Sequence, residues 1–291
     1  MPELPEVETI VRALRKKVLR RTFLDVWTDF EKMIKTPKDF KRFRKTLINK
    51  KIQKIWRRGK NIIFDLSENL SLLVHQKMTG HFLVGLWVLD NGRWKSQTKG
   101  PLEEKVNSYI HLMFFLDNGK MLALSDLRKF AKVELWDSEE LRESRELKKL
   151  GPEPLKKDFT FKKFKETLEN KKGKIKQVLM NQEIIAGIGN IYSDEILWKA
   201  QICPFQNILK LTDHELKRIY RSLQKILKKA IELHGESISD FRDTEGRRGR
   251  FDKARKVYRR EGEKCGRCGT IIKRIKINGR SCHYCPICQK L

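Results

Sequence analysis

The chain opens MPELPEVETIVRALRKKVL (residues 1–19), and this stretch sets the reading of everything after it. Val7, Ile10, Val11, Leu14 and Val18 recur at the i, i+3, i+4 spacing of an amphipathic helix. Prolines near its start, with Glu3, Glu6 and Glu8 in the early turns, suit a helix N-terminus, where the macrodipole favours carboxylates. Removal of Met1 would leave a proline whose free secondary amine is followed at once by Glu3. The stretch is thus both a well-started helix and a terminal amine beside a carboxylate.

Working outward, residues 22–136 change to short β-rich runs: TFLDVW, KIQKIW, NIIFDL, LSLLVH, HFLVGLWVL, YIHLMFFL, KMLALS and FAKVELW. The pairs Asn91-Gly92 and Asn118-Gly119 are hairpin-turn signals. Eight short strands after one helix predict a β-sandwich or barrel. The polar insert DNGRWKSQTKGPLEEKVNS (90–108) reads as a long surface loop.

From residue 137 the pattern becomes helical, first in SEELRESRELKKL and, after the turn-rich GPEPL, at 161–168, 175–180, 191–200 and 213–234. In the last of these Leu216, Ile219, Leu223, Ile226, Leu227, Ala230 and Leu233 form one stripe. Thr212 and Glu215 make a capping box at its start. The expected class is α+β, with an N-terminal helix and β-sandwich domain (1–137), a linker (138–155), a helical domain (156–261) and a cysteine-rich end (262–291).

Lys and Arg number 65 against 37 Asp and Glu, a formal net charge of +28. So large an excess calls for a polyanionic partner, and nucleic acid is the expected one. Apolar runs such as HLMFFL are too short to cross a bilayer, and no signal-peptide core opens the chain. A cytoplasmic protein is expected, with no membrane partner. Five of the six cysteines follow Lys264, which points to metal rather than disulfides. Cys265-x2-Cys268 and Cys285-x2-Cys288 allow four thiolates to hold one structural Zn2+. Cys282 makes a further CxxC with Cys285, and His283 adjoins it, so the register of ligands stays open. Between the knuckles Lys273, Arg274, Lys276 and Arg280 lie on a hairpin signalled by Asn278-Gly279.

MPELPEVE, RRGKNIIFDL, HQKMTG, DLRKF, LGPEPL, GIGNIYSDEIL and the cysteine finger together resemble, in that order, the formamidopyrimidine-DNA glycosylases. The resemblance spans essentially the whole chain. It implies a helix-two-turn-helix motif in the helical domain and a bifunctional glycosylase/abasic-site lyase that removes oxidised purines from double-stranded DNA. It also implies that Pro2 is the nucleophile, Glu3 the general acid/base, and Glu6 a carboxylate that orients the lesion nucleotide. Lys60 and Arg280 are implied to assist elimination and hold phosphates. His75, Tyr109, His111, Lys171 and Asn190 are implied DNA contacts, and Met78, Arg128 and Phe130 fill the gap left by an extruded nucleotide. A monomer associated with the nucleoid is expected.

Three features depart from the family pattern. Lys77 stands where a small residue is usual, Tyr109-x-His111 replaces His-x-His, and TEGRRGRF (244–251) makes the recognition-loop region unusually cationic. An oxidised-pyrimidine glycosylase of the sister endonuclease VIII group fits the same architecture. A non-catalytic damaged-DNA-binding protein and a zinc-ribbon RNA-binding protein fit parts of it, but the conjunction of Pro2, Glu3 and Lys60 favours catalysis.

Overall fold

The computed structural model describes residues 1–237 and 240–290. They divide into two compact units, Met1–Lys148 with Leu233–Arg250, and Lys149–Glu232 with Phe251–Leu291.

In the first unit α1 (Leu4–Lys17) starts from Glu3 in extended conformation and is closed by a reciprocal capping box between Glu3 and Glu6. The strands are β1 (Phe23–Thr28), β2 (Ile34–Thr36), β3 (Ile52–Arg58), β4 (Asn61–Leu66), β5 (Leu70–His75), β6 (His81–Gly85), β7 (Trp87–Asp90), β8 (Arg93–Ser96), β9 (Ile110–Leu116), β10 (Met121–Ser125) and β11 (Lys132–Asp137). Helix α2 (Phe40–Leu47) lies between β2 and β3. One sheet has the order β1-β9-β10-β6 and the other β2-β11-β5-β4-β3. Neighbours are antiparallel except β2 and β11.

The expected sandwich forms because alternate residues of both sheets meet the apolar stripe of α1. Phe114, Phe82 and Leu124 come from one sheet, Phe64, Val74 and Val133 from the other, and Val7, Ile10 and Leu14 from the helix. Each such side chain contributes about 1.5–3 kcal/mol when fully buried. The intervening residues Leu83, Met113 and Ala123 are covered on the opposite face by Trp87 and Trp94. Burial on both faces is why residues 112–116 of β9 read as an unbroken apolar run.

Three local expectations change. HFLVGLWVL is two strands, broken between Gly85 and Trp87, since β6 joins a sheet while β7 turns at Asn91-Gly92 to pair with β8. The insert 90–108 therefore carries a strand, and two single-turn 3-10 helices follow at Pro101–Glu103 and Lys105–Asn107. The unforeseen α2 is capped by Asp39, whose side chain accepts the Arg42 N–H, and buries Phe43 and Leu47. The helical reading of SEELRESRELKKL holds, as two short helices, α3 (Ser138–Glu143) and α4 (Arg145–Lys148), that bury Leu141 and Leu147 within the stretch 138–155.

The second unit contains α5 (Phe161–Leu168), α6 (Ile175–Met180), α7 (Asn190–Ala200), α8 (Asp213–Glu232) and the hairpin β12 (Lys273–Ile277) and β13 (Arg280–Tyr284). The Thr212–Glu215 capping box forms as read. Residues 233–250, within the segment 156–261 of the sequence reading, make their contacts with the first unit. The reason is a set of long-range backbone bonds: the Val84 N–H donates to the Thr244 carbonyl at 2.9 Å.

Candidate active site

The start of α1 is buried although it is the start of the chain. Pro2 is buried, Glu3 is 3% exposed and Glu6 1% exposed. Glu6 spends its two oxygens differently: Oε2 accepts the Glu3 N–H at 2.7 Å, and Oε1 accepts the Glu236 N–H at 2.8 Å. Gly235 permits the second bond. Its φ is +78°, and a Cβ there would stand 2.7 Å from Glu6 Oε1.

Lys60, 7% exposed, sits in the tight turn between β3 and β4. The terminal amine, that of Met1 one residue before Pro2, is held below the usual range of an α-amine, chiefly by burial. The Lys60 charge acts in the same direction, while Glu3, Glu6 and Asp240 oppose it. The Met1 amine therefore feels the fields of Glu3, Glu6 and Lys60 together.

Strands β4, β5 and β11 end side by side, so Asn61, His75 and Lys132 are register neighbours. The His75 pKa is lowered to about 3, first by burial and then by Lys77, Lys60 and Lys132. Its Nδ1 accepts the Lys77 N–H at 2.9 Å, which leaves the proton of the neutral ring on Nε2. Lys77 adopts φ +53°, a turn geometry in which a residue with a side chain is uncommon.

Met78, Arg128 and Phe130 all reach solvent, with Met78 41% and Phe130 51% exposed. The Arg128 guanidinium lies 4.6 Å from the Phe130 ring centroid. Their two loops are joined by Asp126, which is completely buried. Its carboxylate accepts the Thr79 hydroxyl, the Ala131 N–H at 2.7 Å and the Arg128 N–H at 3.3 Å. Tyr109 is half-buried, and its carbonyl accepts the Asp126 N–H. His111 is buried and hydrogen-bonded through Nδ1 to Asp29 at 2.8 Å.

In the second unit Asn190 opens α7 after Gly189, and its buried Oδ1 has no partner among the described residues. Lys171 is exposed beyond α5. Arg280 follows the Asn278-Gly279 turn and lines a crevice of about 220 Å3 with Lys176, Met180, Asn181 and Ile277. The hairpin is anchored by a buried ion pair, Lys176 Nζ to Asp194 Oδ1 at 2.6 Å. The same Nζ donates to the Ser281 carbonyl, and Asp194 Oδ2 accepts the His283 N–H at 2.9 Å. Glu195 accepts the backbone N–H groups of Lys256, Val257 and Tyr258.

The Sγ atoms of Cys265, Cys268, Cys285 and Cys288 lie within 4.8 Å of one another, so the fold gathers these four cysteines into one group that could hold a metal ion. A tetrahedral site with metal–sulfur bonds of about 2.3 Å needs sulfur atoms roughly 3.8 Å apart. The Cys265–Cys288 and Cys268–Cys285 pairs, at 4.0 and 3.4 Å, bracket that value. Cys282 is buried elsewhere on β13, opposite Ile275, and its thiol pKa is raised mainly by burial. The Trp198 indole N–H points at Cys265 Sγ at 3.4 Å.

Asp126, Thr79, Gly235, Lys176 and Asp194 were not singled out from sequence. Asp126 lies inside the DLRKF stretch, whereas Gly235 and Asp194 acquire meaning only from residues far away in the chain.

Three domain families match the chain: the formamidopyrimidine-DNA glycosylase N-terminal domain over residues 1–133, the formamidopyrimidine-DNA glycosylase H2TH domain over 150–242, and the zinc finger found in FPG and IleRS over 262–291. A formamidopyrimidine-DNA glycosylase of Pelotomaculum thermopropionicum is 37% identical over the full length of both chains. One of Streptococcus thermophilus is 38% identical, again across all of both. Among solved structures, Lactococcus lactis Fpg bound to DNA containing an abasic site superposes with a TM-score of 0.85 at 35% identity, covering 99% of this chain and 100% of that one. MutM bound to DNA carrying carbocyclic 8-oxo-G gives 0.85 at 36% identity, covering 100% of both.

Proposed function

Since this chain belongs to the formamidopyrimidine-DNA glycosylase family and is a DNA glycosylase acting on damaged bases, we propose that its chemistry begins at Pro2. The observation that carries the reading is the burial of Pro2 at the head of α1 beside the buried Glu3 and Glu6, with Glu3, Glu6 and Lys60 all acting on the Met1 amine one residue ahead of it. An α-amine titrates near ~8 and a lysine near ~10.4, so an amine freed on Pro2 by removal of Met1 would give up its proton more readily than a lysine.

With Met1 removed, the Pro2 nitrogen attacks C1′ of the damaged nucleotide. The glycosidic bond breaks and the base departs with the bonding pair and a proton. Glu3 protonates O4′ as the sugar opens, leaving an iminium between Pro2 and C1′. That cation acidifies the 2′ hydrogens. Loss of one to the Glu3 carboxylate expels the 3′ phosphate, and a second elimination expels the 5′ phosphate. Glu6 orients the nucleotide, while Lys60, His75, Lys171, Asn190 and Arg280 hold phosphates. Met78, Arg128 and Phe130, exposed on loops fixed by Asp126, enter the space the nucleotide leaves. Tyr109, whose carbonyl accepts the Asp126 N–H, and His111 are proposed as further DNA contacts.

Oxidised purines, 8-oxoguanine and formamidopyrimidines, are the proposed lesions, and the four-cysteine site is proposed to hold one structural zinc ion. Its four thiolates close the coordination shell, so the ion orders the hairpin that carries Arg280 and takes no part in the reaction. A DNA substrate places the protein with the nucleoid in the cytoplasm.

Borohydride trapping on a duplex with 8-oxoguanine opposite cytosine, with mass spectrometry of the crosslink, tests the reading. An adduct on Pro2 is expected. Its absence on both that duplex and an abasic-site control would overturn the mechanism.

A further inference from the structure

A cleft of about 420 Å3 is lined by His234, Asp243, Arg247, Arg248 and Arg250. All belong to the first unit. Its charge is not balanced. Asp243 is the one carboxylate among those five residues, and it is already committed, accepting the Glu245 N–H, the Arg247 N–H and Arg247 Nε at 2.8–3.0 Å. Arg247 is shared between Asp243 and Glu245. Arg248 and Arg250 are exposed and have no carboxylate partner among the described residues.

The segment is also built rather than loose. Its backbone is tied on one side by the Val84 N–H to the Thr244 carbonyl, and by Lys17 to Glu245 at 2.8 Å. On the other side the Gly249 N–H donates to Ser237 Oγ at 2.8 Å and the Arg250 N–H to the Leu233 carbonyl at 2.7 Å. Gly249 passes so close to the 234–235 backbone that a Cβ would stand 2.2 Å from the Gly235 carbonyl oxygen. Two guanidinium groups are therefore presented from a backbone pinned on both sides of Arg248, one residue from the Gly235–Glu236 contact with Glu6. Planar guanidinium donors match the oxygens of a phosphate, and preorganisation lowers the ordering cost of binding one.

We propose that this cleft is a phosphate-binding site in which Arg248 and Arg250 engage a backbone phosphodiester of the damaged duplex. The site deepens the glycosylase reading and rests on it. The same chemistry accepts free phosphate or a mononucleotide, so the test separates the two sources.

Duplex affinity is measured across salt for the wild type, the double variant Arg248→Ala/Arg250→Ala, and a control, Lys41→Ala/Lys45→Ala, which removes two exposed cations on α2. Each neutralised phosphate contributes about 0.9 to the slope of log K against log salt. The arginine variant should lose about 0.9–1.8 from that slope, so that between 50 and 200 mM salt its affinity falls roughly 3.5- to 12-fold less than that of the wild type, while the control follows the wild type. If the slope is unchanged but calorimetric binding of inorganic phosphate or dGMP at millimolar concentration disappears in the arginine variant, the site stands with a free phosphate as its ligand. If neither changes, the site is disproved. Borohydride trapping of the wild type runs in parallel: an adduct on Pro2 with no arginine effect removes only the site, whereas no adduct removes the glycosylase mechanism on which it was argued.

Discussion

The Glu6 carboxylate accepts the N–H of Glu236 at 2.8 Å, joining the first turn of the first helix to a residue 230 positions later. Its other oxygen closes the capping box with the Glu3 N–H. Both bonds need an acceptor. Glu6→Gln keeps the shape but turns one acceptor into a donor facing an N–H. A loss of about 1–3 kcal/mol in stability is expected from the unsatisfied contact, measured by urea unfolding. Single-turnover excision should fall by a larger factor than duplex affinity, since the bond aligns the residues next to Pro2.

Asp126 ties together the loops carrying Met78 and the Arg128–Phe130 pair, and it is fully buried. Asp126→Asn retains one acceptor oxygen, so the charge-assisted bonds to Thr79, Arg128 and Ala131 cannot all persist. Excision from duplex DNA should fall at least tenfold. Lyase activity on single-stranded abasic DNA should change much less, because a single strand has no orphaned partner base for Arg128 to address. Equal losses on both substrates would assign Asp126 a general structural role.

These two relationships also mark what could be read beforehand. The periodicity of residues 2–19 and the capping signal at Thr212 both produced the expected helices, because each is decided by neighbours three and four positions apart. The hairpin turns at Asn91-Gly92 and Asn278-Gly279 were equally local. HFLVGLWVL misled because its apolar character continues past Gly85, and only the competition between sheet and hairpin divides it. The proposed phosphate-holding and wedge residues came from the resemblance alone, since an exposed Met78 and a buried one look alike in sequence. Gly235, Asp194 and the return of residues 233–250 to the first unit depend on long-range contacts that leave no periodic trace.

His75 supplies a pH test. Its folded pKa of about 3 lies well below the ~6.5 of an unfolded histidine. Between those values the unfolded chain binds a proton that the folded chain does not, so stability falls as pH drops from about 6.5 towards 3. His75→Gln should flatten that part of the profile, measured as urea midpoints at pH 7 and pH 4.5. By NMR the His75 ring should show no titration between pH 5 and 8.

The cysteine finger makes two variants diverge. Cys285→Ser removes a member of the four-sulfur cluster, while Cys282→Ser changes a buried thiol outside it. Elemental analysis should find one zinc per chain in Cys282→Ser and a substoichiometric amount in Cys285→Ser. Chelation should alter tryptophan emission, because Trp198 lies against Cys265 and under the Arg267 guanidinium. A Trp198→Phe variant should lose most of that signal while keeping its metal.

Lys176 and Asp194 are 1% and 0% exposed at the side chain, so the energetic weight of their 2.6 Å pair lies in mutual compensation. Lys176→Met leaves the Asp194 carboxylate buried without its cation, and such a break costs about 3–5 kcal/mol. The variant also removes the donor to the Ser281 carbonyl, next to Arg280. A second change, Asp194→Leu, deletes the stranded charge but also the acceptor of the His283 N–H. The double variant should therefore recover part of the stability lost in Lys176→Met, as read from urea midpoints. Duplex affinity should stay low in both, because the hairpin bearing Arg280 has lost its anchors. Full recovery of affinity in the double variant would show that the ion pair does not position Arg280.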